Sequence, residues 1–156
     1  MESDVIPNGA VIEYLFNEEC SSWQRSKVLY LAAPCLHTNH LRVLVNDDRI
    51  YVSNTTNSTL LVLSLEGQLI REYANRASSF LCSVDDSALL EAQHATTRLN
   101  ILSKSGRWHE NVVTTLDGNV KGAVLCDGKL YVTVVCDAQV TYVSKPASYL
   151  QLYSIA

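Results

Sequence analysis

The densest group of chemically capable residues is Cys35-x-His37-x-x-His40. A thiol and two imidazoles are zinc ligands, but a tetrahedral site needs three or four donors converging from fixed directions. Cys20 is the available fourth donor, no paired Cys-x-x-Cys knuckle accompanies the set, and the segment reads as a polar loop. No metal site is assigned to it. Carboxylates recur at Asp47, Asp86 and Asp127, each in a turn-forming stretch where Asp serves the turn itself. Glu91 lies inside an apolar run with no obvious partner, and His94 and His109 are isolated. Neither a Gly-x-Ser-x-Gly elbow nor a phosphate-binding glycine loop occurs. The residues therefore read as those of a non-catalytic protein without a cofactor. The alternative is a hydrolase or lyase that holds a metal between inward-facing carboxylates.

Composition narrows the partners. The chain has 156 residues, 47% of them hydrophobic, enough for one packed core. Its 12 Lys and Arg against 16 Asp and Glu give a net charge of −4, and the basic residues are scattered. Phosphate backbones are gripped by concentrated cations that release counterions, so nucleic acid, RNA included, is disfavoured and a protein partner expected. The acidic start, with Glu13 interrupting its apolar stretch, lacks the basic flank and unbroken core of a signal peptide. No apolar stretch approaches the roughly 20 residues that span a bilayer. Five widely spaced cysteines, an odd number, read as reduced thiols. The expectation is a cytoplasmic protein that avoids the membrane. Two glycosylation sequons, Asn54-Thr55-Thr56 and Asn57-Ser58-Thr59, point instead to a secreted loop, unless the elements around them give these residues another task.

Those elements repeat. "VNDDRIYVS" at 45–53, "VDDSALLEA" at 84–92 and "LCDGKLYVT" at 125–133 align at offsets of 39 and 41. Each carries an Asp turn followed by a β-forming run. "LLVLSLEGQLIREY" at 60–73 likewise precedes "LNILSKSGRWHENV" at 99–112 by 39, with Gly67 and Gly106 in equivalent hairpin turns. Short apolar runs broken by turn residues predict strands, not helices. The predicted strands, named a to d within a unit, are 41–45, 49–53, 60–65 and 68–73; 80–84, 88–92, 98–103 and 107–113; and 121–126, 129–135 and 149–155. Strands b and c are almost wholly apolar, as strands covered on both faces are. Strand d is polar, as an outer edge is. The predicted fold is all-β, with β-propeller-like blades of four antiparallel strands every 40 or so residues. One partial propeller would comprise a remnant blade at 1–40, blades at 41–79 and 80–120, and a blade at 121–156 without its outer strand. The remnant's "VIEYLF" (11–16) and "KVLYLA" (27–32) read as its strands c and d.

The repeat resembles that of the NHL propellers. Asp47, Ile50, Tyr51, Val52 and Ser53 follow the first half of that pattern; Thr55, Asn57, Leu60, Val62 and Gly67 follow the second. Asp86, Ala92, Arg98, Leu99, Ile101 and Gly106 continue it, and Asp127, Leu130, Tyr131 and Val132 begin it again. Departures occur at Ser58 and Thr97, where the family has His, and at Thr96, where it has Asn. The resemblance implies a scaffold that binds protein or RNA, often behind the zinc modules of ubiquitin ligases; none of those modules is present here. It places binding on one rim, in the b–c and d–a loops, with Asn54, Asn57, Arg76, His94 and Arg98 as the residues to test. The long 136–148 loop would lie on that rim. Trp23, Trp108 and Tyr149 are aromatics able to anchor a partner, although Trp23 falls in a polar loop and Trp108 suits a blade edge. About three blades form an incomplete ring, so either a larger assembly or self-association would complete it.

Overall fold

Turns set the geometry of several strand pairs. In a computed structural model, which describes residues 9–31, 41–93, 98–113, 119–135 and 148–154, the equivalent glycines Gly67 and Gly106 have φ of 89° and 90°. Each donates its N–H to a serine carbonyl three residues back, Ser64 at 3.0 Å and Ser103 at 2.9 Å. The same serine hydroxyls accept backbone N–H groups of the turn, from Gln68 and Arg107. Two turns 39 residues apart are thus built from the same parts. Asp127 and Gly128, both at positive φ, form the two-residue turn whose twist matches a hairpin.

Thirteen strands result among the described residues. A hairpin of β1 (Ala10–Asn17) and β2 (Ser22–Leu31) forms a two-stranded sheet. The second sheet has the order β3 (Leu41–Asn46), β4 (Arg49–Asn54), β5 (Thr59–Ser64) and β6 (Leu69–Ala74). The third repeats it with β7 (Ser78–Asp85), β8 (Ala88–Gln93), β9 (Leu99–Ser103) and β10 (Trp108–Val113). The fourth holds β11 (Asn119–Cys126), β12 (Lys129–Val135) and β13 (Ser148–Ser154). All pairings are antiparallel between chain neighbours. The strands expected in the three units appear within two residues of their predicted limits. Among the described residues there is no helix, and the sheets do not close a ring.

The core lies between the sheets. Ile50, Val52, Leu61 and Leu63 face the hairpin, meeting Val11, Leu29 and Tyr30. Tyr51, Leu60 and Val62 point the other way, onto Leu89 and Leu102 of the third sheet. That sheet turns Leu90, Ala92 and Leu99 toward Val120, Leu130 and Val132 of the fourth. The middle strands are therefore covered on both faces, which explains their near-continuous apolar sequence. β6, the outer strand, is exposed except for half-buried Tyr73. The first strands, β3, β7 and β11, lie side by side along the stack.

The hairpin differs from the outer half-blade expected at 11–16 and 27–32. β2 begins five residues earlier, at Ser22, and takes in Trp23, so that residue is not in a loop. β1 lies over the inner strand of the next sheet, with Ala10, Val11, Ile12 and Tyr14 bordering an open 380 Å³ cleft against Leu41 and Val43. β2 lies toward the far side, where Leu29 abuts Gly67.

Candidate functional site

At the end of the stack where β4 leads into β5, polar groups penetrate between the second and third sheets. Ser53 donates to the Ser78 carbonyl at 2.6 Å, and the Ser78 hydroxyl donates to Glu91 Oε1 at 2.7 Å. Asn100 Nδ2 donates to the other carboxyl oxygen at 2.7 Å, while its Oδ1 accepts the Asn111 N–H at 2.8 Å. Ser53, Ser78 and Glu91 are fully buried. A carboxyl removed from water requires such donors at both oxygens, since leaving either unsatisfied costs its full desolvation. The alternation of β8 explains the placement: Leu90 and Ala92 face the fourth sheet, so Glu91 faces the second.

Asn100 connects this interior cluster to the surface. With Gln93, Arg98, Glu110 and Asn111 it lines a 280 Å³ cleft. Arg76, from the β6–β7 loop, pairs with Glu110 at this end. Its guanidinium stacks 3.8 Å above the Trp108 ring, which in turn meets Tyr73 edge-on at 5.4 Å. The stack desolvates one face of the cation and favours a planar guanidinium over an ammonium. The Arg76 N–H also donates to the Ser58 carbonyl at 2.8 Å, joining the β6–β7 loop to the β4–β5 loop. The two loops expected to share a rim do meet.

The five rim residues fare differently. Arg98 is exposed and lines the cleft; Arg76 is placed beside it through Glu110. Asn57 is exposed on the β4–β5 loop, its N–H directed at Asn54 Oδ1. Asn54 is a correction: it is fully buried, beyond a partner's reach, and its Oδ1 accepts the N–H groups of Thr56 and Asn57 at 3.1 and 3.3 Å. It shapes the loop from beneath. His94 and most of the long loop, 136–147, lie outside the described residues, as do Cys35, His37 and His40. Glu110 and the Glu91–Asn100 pair escaped the sequence reading. Cross-strand pairing brings them together, and only the unexplained polarity of Glu91 and Asn100 in apolar runs signalled it.

The opposite end of the same two sheets is also bound by charge. Lys104, in the β9–β10 turn, pairs with Asp47 and, at 2.8 Å, with Asp48. Arg49 donates to the Lys104 carbonyl at 2.6 Å. The Lys104 ammonium holds the Asp48 carboxyl below its ordinary range, and hydrogen bonds to Asp47 and Asp48 raise Lys104 in turn. Deeper in, burial raises the Tyr51 hydroxyl. Asp47 thus serves a turn and an inter-sheet latch. Among the described residues no group of three or more His, Cys, Asp or Glu is placed to hold a metal ion.

No protein-family model matches the chain, and no curated protein does. Solved structures do match. One is the crystal structure of the computationally designed Ika4 protein, similar over 83% of this chain and 74% of that one, with a TM-score of 0.56 and 10% identity. At that identity the likeness concerns the fold alone.

Proposed function

We propose that this chain is a protein-interaction module of NHL-like, propeller-type blades, which engages a protein partner through the rim formed by the β4–β5 and β6–β7 loops and the adjoining cleft. The observation that carries this reading is the construction of that rim. Arg76, stacked on Trp108 and paired with Glu110, is a fixed cation–aromatic platform, and Arg98 and Asn57 stand exposed on the loops around it. Arginine and tryptophan held in one conformation contribute disproportionately to protein interfaces, because little entropy remains to be lost on binding. The mixed charge of the cleft suits a polar protein surface better than a phosphate backbone. The cytoplasm is the compartment in which we place this activity.

The test is cross-linking in cells followed by mass spectrometry, comparing the native chain with an Asn57→Glu, Arg98→Glu double variant. The variant is expected to melt with the native protein and to lose the proteins cross-linked at the rim. An unchanged set of cross-linked partners would rule the rim out; cross-links confined to RNA would replace the protein partner with a nucleic-acid one.

A further inference from the structure

We propose that a second copy of this chain covers both open ends of the stack, the outer face of the hairpin in one copy seating on the outer face of the fourth sheet in the other. The inference rests on the blade-like reading of the fold but not on the rim.

The hairpin presents the first open face. Its register pairs Ala10 with Leu31, Ile12 with Val28, Tyr14 with Arg25 and Phe16 with Trp23. Directly opposed residues share a face, and these alternate with Val11, which points into the core. One side of the hairpin is therefore apolar apart from Arg25. Much of it is open: Tyr14 is 50%, Phe16 49%, Trp23 67% and Leu31 55% exposed, while Ala10, Ile12 and Val28 are half-buried. Phe16 and Trp23 pack on each other with ring centroids 5.2 Å apart, so the patch is continuous across both strands. A contiguous apolar surface of this kind marks an interface.

The repeat identifies what fits there. Within the chain, each sheet covers the next with residues at fixed repeat positions. Tyr51, Leu60 and Val62 cover the third sheet; 39 residues on, Leu90, Leu99 and Ile101 cover the fourth. The equivalents in the last unit are Tyr131, Leu150 and Leu152, and the β12–β13 register sets Leu152 opposite Tyr131. The fourth sheet thus keeps apolar residue types at the covering positions, and among the described residues no further sheet pairs with them. Val124, registered with Tyr131 on β11, is 60% exposed. The three internal contacts all join a covering face to a different, receiving face. Repeating that operation once more brings the receiving hairpin of another copy onto the fourth sheet. Head-to-tail contacts of this type close into rings when their rotation allows. Two copies of four sheets give eight, within the roughly four to eight that blade rings hold.

Light scattering on the native chain is expected to give the mass of two copies. Trp23→Glu and Val124→Lys, each on one of the two faces, are each expected to give monomers that keep the native β-sheet circular dichroism. Mixing them should restore a dimer, because one interface is then native and the other sets Glu against Lys. Should Trp23→Glu lose its fold, Tyr14→Glu on the same face replaces it. A monomeric native protein overturns the proposal. So does a Val124→Lys variant that still dimerises, which would mean hairpin against hairpin, and so does a mixture that stays monomeric.

Discussion

The second and third sheets occupy the same repeat positions with opposite chemistry. In the second, Val52 and Leu61 are cross-strand neighbours packed against the hairpin. In the third, 39 residues on, the same pair is Glu91 and Asn100, equally buried and equally registered. Cross-strand register and burial are shared, so the difference shows what a polar pair adds at a sheet interface. It does not strengthen the core by itself, since an apolar pair of similar size does as well where water is excluded. It adds direction. Glu91 accepts only from donors at two fixed angles, Ser78 and Asn100, and these fix the start of β7 and the β9–β10 edge against each other. The polar interface lies beneath the candidate rim, whereas the apolar one borders the cleft between β1 and β3.

The comparison can be broken most severely by removing one partner. Asn100→Leu strands one oxygen of Glu91 and the Asn111 N–H, and urea unfolding is expected to register a loss of about 1–3 kcal/mol, the cost of leaving a buried polar group unpaired. Glu91→Val combined with Asn100→Leu sets the apolar pair of the second sheet in the third and should recover part of that loss, the rest staying with the Ser78 hydroxyl and the Asn111 N–H that lose their acceptors. If the double variant is no better than the single one, the polar pair carries structure that an apolar pair cannot replace.

A smaller effect is expected from the paired turns. Gly67→Ala forces a side chain onto a φ of 89°, with its Cβ 3.1 Å from the Leu29 carbonyl oxygen of the hairpin. A loss above ~1 kcal/mol is expected, since alanine at positive φ costs more than the entropy it saves. At Gly106 the added Cβ meets the guanidinium of Arg71, the far end of a flexible chain. Gly106→Ala should therefore cost less than Gly67→Ala, and thermal melts of the two variants test that order.

The smallest effect belongs to the exposed latch of Lys104 with Asp47 and Asp48. Asp48 is lowered, so its contribution is present above its unfolded value and fades as pH falls through the folded one. Lys104 is raised, so its contribution is present below its unfolded value and fades as pH rises through the folded one. Lys104→Gln should slightly lower the middle of a stability–pH curve, where both contributions are present, and flatten both limbs while leaving the extremes of pH unchanged. Added salt should erase the difference, because exposed pairs are screened.

The strands, their grouping in units and the inner-to-outer gradient of polarity were legible in the sequence, because each follows from local turn chemistry and from period-two burial. The sequence also placed Arg76 between strands and Arg98 at the end of one, since loop positions follow from strand limits. Asn54 was misjudged because a polar residue in a loop sequence looks exposed; only packing reveals that its side chain turns inward to hold the loop's N–H groups. Glu91 looked solitary because its partners, Ser78 and Asn100, lie 13 and 9 residues away and meet it only across strands. Trp23 looked like a loop residue because its neighbours are polar, yet it extends β2 and completes an aromatic face with Phe16.

Local rules acting on this chain thus determine that it forms antiparallel strands in four groups, with glycine and aspartate fixing several of the hairpin turns. Which sheet faces which, which polar groups are sealed between them, and which apolar faces are left open were decided only by the tertiary structure. The physical reason is that turn geometry acts over a few residues, whereas stacking sets side chains from whole repeats apart against one another.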